Sequence, residues 1–200
     1  LMTNITKKLF IIFFIIISSA NPAFSKKNNL IAIGNENAKI TIKVFSSLTC
    51  PHCANFHNKI YDKLKDEFID SGKVRFEHYG FPLDFAALNA EKILRCNNNK
   101  KITFQLLSEI YKKQDEWAVG SEINTINNSL KKIGLNFGLS EESIDKCINN
   151  EVMQDEILEE RIDAQKKYKI SSTPTIYVNE KKYEGDHEFK NFKKFLEKLL

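Results

Sequence analysis

Cys50 and Cys53 are separated only by Pro51 and His52, and this Cys50-Pro51-His52-Cys53 segment is where the sequence could do chemistry. Two intervening residues in one helical turn bring two sulfurs close enough for a disulfide, so the chemistry is thiol–disulfide exchange. Upstream, Ile40, Ile42 and Val44 alternate as in a strand. Downstream, Phe56, Ile60, Leu64 and Phe68 recur every four residues as one stripe of an amphipathic helix. Thr49 and Cys50 therefore fall where strand hands over to helix, and Cys50 sits at a helix N-terminus. Free backbone N–H groups and the positive end of the helix dipole stabilise a thiolate there. Pro51 suits the first helical turn, where its missing N–H needs no partner. His52 can add positive charge or a hydrogen bond beside the sulfur. Such settings lower a cysteine pKa from about 8.5 to roughly 3.5–7.5, and each unit is worth about 1.4 kcal/mol. The thiolate exists only in the reduced protein, so its stabilisation favours reduction of this disulfide and makes the protein an oxidant of others.

A second feature is Thr173-Pro174, directly before the apolar run Thr175 to Val178. A proline there is a poor central-strand residue. It fits a cis-proline turn, with Thr173 leaving backbone groups open to an extended peptide. Nothing in the sequence places Pro174 beside Cys50.

The remaining elements must position these residues. Strand patterns are expected over Lys39 to Phe45, Lys73 to Tyr79, Thr175 to Val178 and Lys181 to Tyr183. Between the second and third of these, helical patterns run from Phe85 to Asn97, Ile102 to Tyr111, Ile123 to Ile133, from an N-cap at Ser140, and from Gln154 to Tyr168. Phe189, Phe192, Leu196 and Leu199 line a last helix. The order is α/β: strand–helix–strand, a helical block, a strand pair and a helix.

Composition is that of an ordinary globular chain, with 42% hydrophobic and 28% charged residues. A net charge of +4, spread over mixed-sign segments, gives no basic patch for nucleic acid. At the N-terminus Lys7 and Lys8 precede the apolar run Leu9 to Ile17 and then small residues, the layout of a secretory signal peptide. Cleavage after Ser25 is favoured over Ala20. An uncleaved membrane anchor is the other reading, disfavoured because the run is well short of the roughly 20 residues a span needs. Residues 26–200 then form one domain, and export puts the thiols in an oxidising compartment.

With Cys50-Pro51-His52-Cys53 after an Ile/Val-rich strand, Phe81-Pro82-Leu83-Asp84, and Ser172-Thr173-Pro174-Thr175-Ile176-Tyr177-Val178-Asn179, the chain resembles the DsbA-like thiol–disulfide oxidoreductases, above all those of alphaproteobacteria. The resemblance covers residues 36–200. It implies a thioredoxin fold with a helical insertion at about 85–169, and cis-Pro174 packed against Cys50 and Cys53. Cys50 would be the exposed nucleophile and Cys53 its buried partner. It also implies a periplasmic, monomeric protein that needs no cofactor or metal. Reduced, unfolded secreted proteins would be its substrates, and a DsbB-like membrane oxidase would reoxidise it. The chain departs from the family pattern at Val44 and His57, where some members carry an acid, and at Tyr79-Gly80, where Arg-Asp often stands. Similar proteins carry a second disulfide where Cys96 and Cys147 stand, and in the chain-entropy model that loop closure contributes on the order of 4 kcal/mol.

Three alternatives stay open. One is an isomerase or reductase of the same fold. Another is a periplasmic copper-binding protein using Cys50, Cys53 and His52. A third is a zinc site that adds His57, against which Pro51 and an oxidising compartment argue. Cys96 and Cys147 could also be two buried thiols or a regulatory bridge. His57, His78, His187 and Trp117 are read as packing or surface residues.

Overall fold

A computed structural model describes residues 30–97 and 99–200, so the expected signal segment 1–25 lies outside the described residues. Period-two alternation builds the central strands. β1 (Ile31–Ile33) was not anticipated from the sequence. β2 (Ile40–Ser46) buries Ile40, Ile42 and Val44 in the main core, while Phe45 belongs to a second cluster. β3 (Val74–Gly80) places Val74 and Phe76 in that main core. β2 and β3 are parallel, from Ile40 opposite Val74 to Ser46 opposite Gly80.

A parallel pair requires a crossover connection, and a helical rod supplies it. α1 (Pro51–Phe56) and α2 (Asp62–Leu64) are joined and prolonged by wide turns at His57–Tyr61 and Lys65–Ile69. The stripe Phe56, Ile60, Leu64 and Phe68 is fully buried against the sheet, as its spacing requires. β1 pairs antiparallel with the outer edge of β3. Gly34 follows it at φ +99°, where a Cβ would lie 2.4 Å from the Val74 carbonyl oxygen, so the chain can leave β1 this way only at a glycine.

Between β3 and the next strand lie α3 (Phe85–Arg95), α4 (Lys100–Lys112), α5 (Gln114–Trp117), α6 (Ile123–Asn136), α7 (Glu141–Ile148) and α8 (Glu151–Tyr168). Asp84 caps α3 by accepting the Ala87 N–H at 2.7 Å, and Ser140 caps α7 through Ser143. β4 (Thr175–Val178) then returns antiparallel to β2, and β5 (Lys181–Lys182) pairs with β4. The sheet order is β1-β3-β2-β4-β5. α9 (Phe189–Glu197) closes the chain, with Phe192 and Leu196 in the main core. The smaller cluster gathers Phe45, Phe81, Ala164 and Ile170 with Tyr79, Tyr168 and Tyr177. Trp117 is buried and its indole N–H donates to the Ile110 carbonyl at 2.8 Å.

Cys96, just past α3, and Cys147, in α7, are joined with their Cα atoms 6.0 Å apart and close a separation of 51 residues. Replacing both with alanine is expected to lower the unfolding free energy by about 2–4 kcal/mol, read as a lower guanidinium midpoint with a steeper slope, because the unlinked denatured chain exposes more surface. An unchanged midpoint would show that the bridge carries no stability.

Candidate active site

Cys50 caps α1 from an extended conformation, φ −81° and ψ 118°, with Pro51 in the first turn. The backbone N–H groups of His52 and Cys53 are thereby turned toward the Cys50 sulfur. Pro51 and His52 are exposed, Cys50 is half-buried, and Cys53 is 1% exposed. The two sulfurs stand as free thiols in this structure.

The Thr173–Pro174 peptide bond is cis. β4 pairs Thr175 with Phe45, so the residues just before β4 run past the end of β2 toward the α1 N-terminus. This brings together what the sequence could not. The Cys50 thiol donates to the Thr173 carbonyl oxygen at 3.4 Å. The Thr173 hydroxyl is buried without a hydrogen-bond partner, and its presence beside the cysteines favours the anionic form of both sulfurs. Thr175 Oγ1 donates to the Ser172 carbonyl at 2.7 Å and ties down the turn.

These contacts make the two cysteines unlike. The Cys53 thiol, followed by the Thr173 hydroxyl and the backbone N–H groups of Cys53 and His52, holds the Cys50 pKa down to about 5 against the opposing effect of partial burial. Burial pushes the Cys53 thiol far up, and its hydrogen bond to Cys50 and the charge there push it the same way. The pair therefore carries one anionic, accessible sulfur and one neutral, enclosed sulfur when reduced. With the Cys50 pKa depressed, the stabilisation of the reduced form is full above the ordinary thiol range and is lost as pH falls through about 5.

The strand-to-helix loop is braced by Gln114, which sequence reasoning passed over, and by the segment Phe81 to Asp84, to which it gave no structural role. Gln114 Nε2 donates to the Leu48 carbonyl at 2.7 Å and the Cys50 carbonyl at 3.1 Å. Thr49 Oγ1 donates to Asp84 Oδ2 at 2.6 Å, and the Leu83 N–H donates to Ser47 Oγ at 3.3 Å. The segment Phe81 to Asp84 is thus fastened to the loop that carries Cys50. His52 reaches the sulfur through its backbone N–H. His57 turns inward, with Nε2 2.9 Å from Ser108 Oγ and its ring stacked on Tyr61. Burial, and the neighbouring His78, hold its pKa down at about 3, so it is neutral at ordinary pH. Among the described residues no group of three or more His, Cys, Asp or Glu side chains could hold a metal ion.

A family model described as Thioredoxin matches residues 26–198. A Rickettsia bellii protein named as a protein-disulfide oxidoreductase is 28% identical over 157 residues, 78% of this chain and 59% of the relative, so the chain spans about three fifths of that protein's length. Disulfide bond formation protein D of Bacillus subtilis is 27% identical over 177 residues, covering 84% of this chain and 76% of the relative. The crystal structure of alpha-DsbA1 from Wolbachia pipientis superposes with a TM-score of 0.78 at 27% identity, over 86% of this chain and 90% of that one. The mixed sheet with its helical block is accordingly a thioredoxin fold with the DsbA arrangement of helices.

Thr173→Val removes the side-chain donor and keeps the shape. It is expected to raise the Cys50 pKa by roughly one unit, the size of one charge-assisted hydrogen bond partly replaced by water, in a titration of thiolate absorbance. An unchanged titration would show that the Thr173 hydroxyl does not serve the thiolate.

Proposed function

The chain belongs to the thioredoxin family, and on that premise we propose that it is an exported, DsbA-like thiol–disulfide oxidoreductase that donates the Cys50–Cys53 disulfide to folding secreted proteins. The observation that carries the reading is the inequality of the two sulfurs. Cys50 is accessible at the helix N-terminus beside cis-Pro174, and Cys53 is enclosed. The activities in the names of the Bacillus and Rickettsia relatives support it.

The cycle starts from the Cys50–Cys53 disulfide. A substrate thiolate attacks the Cys50 sulfur, a substrate–Cys50 bond forms, and Cys53 leaves with the electron pair and takes up a proton. A second substrate thiolate attacks the substrate sulfur of that mixed disulfide. The substrate leaves with a new disulfide, oxidised by two electrons, and Cys50 leaves as a thiolate. Its low pKa makes it the better leaving group and drives this second step. The extended substrate lies along the backbone of Thr173 and Pro174, whose Thr173 carbonyl is released from the Cys50 thiol when the disulfide forms. Leu83 and Phe85, 52% and 56% exposed on either side of Asp84, give unfolded chains an apolar edge on the segment fastened to the Cys50 loop.

Residues 1–25 act as the export signal, and residues 26–200 fold as the oxidoreductase with its helical insertion at about 85–169. Among the described residues no helix is long and apolar enough to cross a membrane. The Cys96–Cys147 bridge is structural. The enzyme works as a monomer in the periplasm and is reoxidised by a DsbB-like membrane oxidase.

Dithiol-peptide oxidation tests the roles. Cys50→Ala is expected to abolish turnover, whereas Cys53→Ala, offered the oxidised peptide instead, should form a covalent peptide–Cys50 adduct visible by mass spectrometry, the Cys50 thiolate attacking the peptide disulfide and the other peptide sulfur leaving as a thiolate. Full turnover by Cys50→Ala, or an adduct on Cys53 in the wild-type protein, would overturn the assignment.

A further inference from the structure

The cycle leaves one proton without a partner. Cys53 must gain a proton each time the disulfide opens and lose it each time the disulfide closes, and it does so in an enclosed site. Beside that site four buried polar side chains form a line. Tyr111 on α4 donates its hydroxyl to Ser46 Oγ at 2.9 Å. Ser46 Oγ lies 3.3 Å from His78 Nδ1, and His78 Nε2 lies 2.6 Å from Glu91 Oε1 on α3. The line conducts a proton when Ser46 donates to Nδ1 and the ring proton of His78 sits on Nε2, facing the carboxylate.

The far end of the line is incomplete. Glu91 is fully buried, and its second oxygen, Oε2, has no hydrogen-bond partner. An orphaned buried carboxylate oxygen is rare and calls for a reason. Gly80 makes the place for it: opposite Ser46 in the β2–β3 register, a Cβ at residue 80 would lie 2.6 Å from Glu91 Cδ. The near end lies beside the cysteine turn, whose Cys50 N–H donates to the Ser47 carbonyl oxygen at 3.1 Å. Ser47, next to Ser46, turns its backbone N–H to Cys53, and the Tyr111 hydroxyl feels the charges of Cys53, Glu91 and Cys50 together.

We infer that the buried His78–Glu91 pair is the proton reservoir of Cys53, reached through Ser46 and Tyr111. The inference rests on the oxidoreductase reading above. On closure, the Cys53 S–H proton passes to the pair, the Cys53 thiolate attacks Cys50 of a mixed disulfide, the Cys50–Cys53 bond forms, and the other thiol leaves as a thiolate with its electron pair. On opening, the leaving Cys53 thiolate takes the proton back. The buried groups therefore carry one negative charge while the disulfide is open and none once it has closed, the charge leaving with the other thiolate.

The charged groups around Glu91 make no hydrogen bond to its Oε2, although Arg95 Nε and Nη1 are also buried without a partner. Arg95, one turn along α3, feels Glu91 and is bound at 2.7 Å by Glu160 of α8, with Glu156 also near. Lys92 turns away to the Ile148 carbonyl and Gln154. On α6, Asn127 Oδ1 accepts from Asn89 Nδ2 at 2.9 Å. His57, facing His78 from the turn after α1, stays neutral. Glu91 and His78 touch no reacting atom, and they are positioning residues for Cys53.

The test loads Cys50 of the full-length protein with glutathione as a mixed disulfide and follows glutathione release by rapid quench against pH. Glu91→Gln and His78→Gln are expected to slow closure near neutral pH by roughly 100-fold, within the range of a lost general base. They should also make closure proportional to hydroxide, with Cys50 thiolate titration unchanged. If either variant fails to fold, Tyr111→Phe and Ser46→Ala interrupt the same line and should move the profile the same way. Wild-type closure rates and pH profiles in all folded variants would overturn the inference. If wild-type Cys50 never forms the mixed disulfide, it is the oxidoreductase reading that fails instead.

Discussion

A thiolate held at the start of a helix is the interaction on which this structure turns. The Cys50 sulfur collects the Cys53 thiol, the Thr173 hydroxyl and two backbone N–H groups, while Cys53, three residues on, collects burial. One turn of helix thus separates a charge-tolerant position from a charge-excluding one. A disulfide between such unequal sulfurs has a built-in polarity: one end is attacked and later leaves easily, the other is released only into the protein interior. Stabilising one anion therefore sets both the direction of electron flow and the order of the two exchange steps.

The rest of the fold serves that geometry. β2 delivers the chain to the helix start, β4 runs back beside β2, and the cis peptide before β4 places the Thr173 carbonyl and hydroxyl against the sulfurs. Gln114 clasps the carbonyls of Leu48 and Cys50, and Asp84 serves twice, capping α3 and accepting from Thr49. The helical block is thereby tied directly to the loop that carries the sulfur. Local polar contacts of this kind hold a site on rigid elements, as an exchange geometry requires.

Much of this was legible from residue order because local rules decide it. The Ile40-Ile42-Val44 alternation, the Phe56-to-Phe68 stripe, the Ser140 cap and the cysteine pair at a strand–helix junction each carry their signal within a few residues. β1 escaped because three residues make no pattern, and its pairing with β3 is decided by tertiary contact. The contact between Thr173 and Cys50 spans more than half the chain and has no local signature. Tyr111 and Gln114 read as ordinary members of a helical region until folding sets them on the β2 end. One signal was available for Glu91. The stretch from Ala87 to Leu94 is so apolar that Asn89, Glu91 and Lys92 had to be buried with it, and a buried charge needs a partner.

The central claim is that the reduced pair is favoured because Cys50 is a stabilised thiolate. Equilibrating the Cys50–Cys53 pair against defined ratios of reduced and oxidised glutathione tests it most directly. The account predicts a potential of roughly −120 to −180 mV, in the range of disulfide donors. A value near about −270 mV, the range of protein reductants, would contradict it.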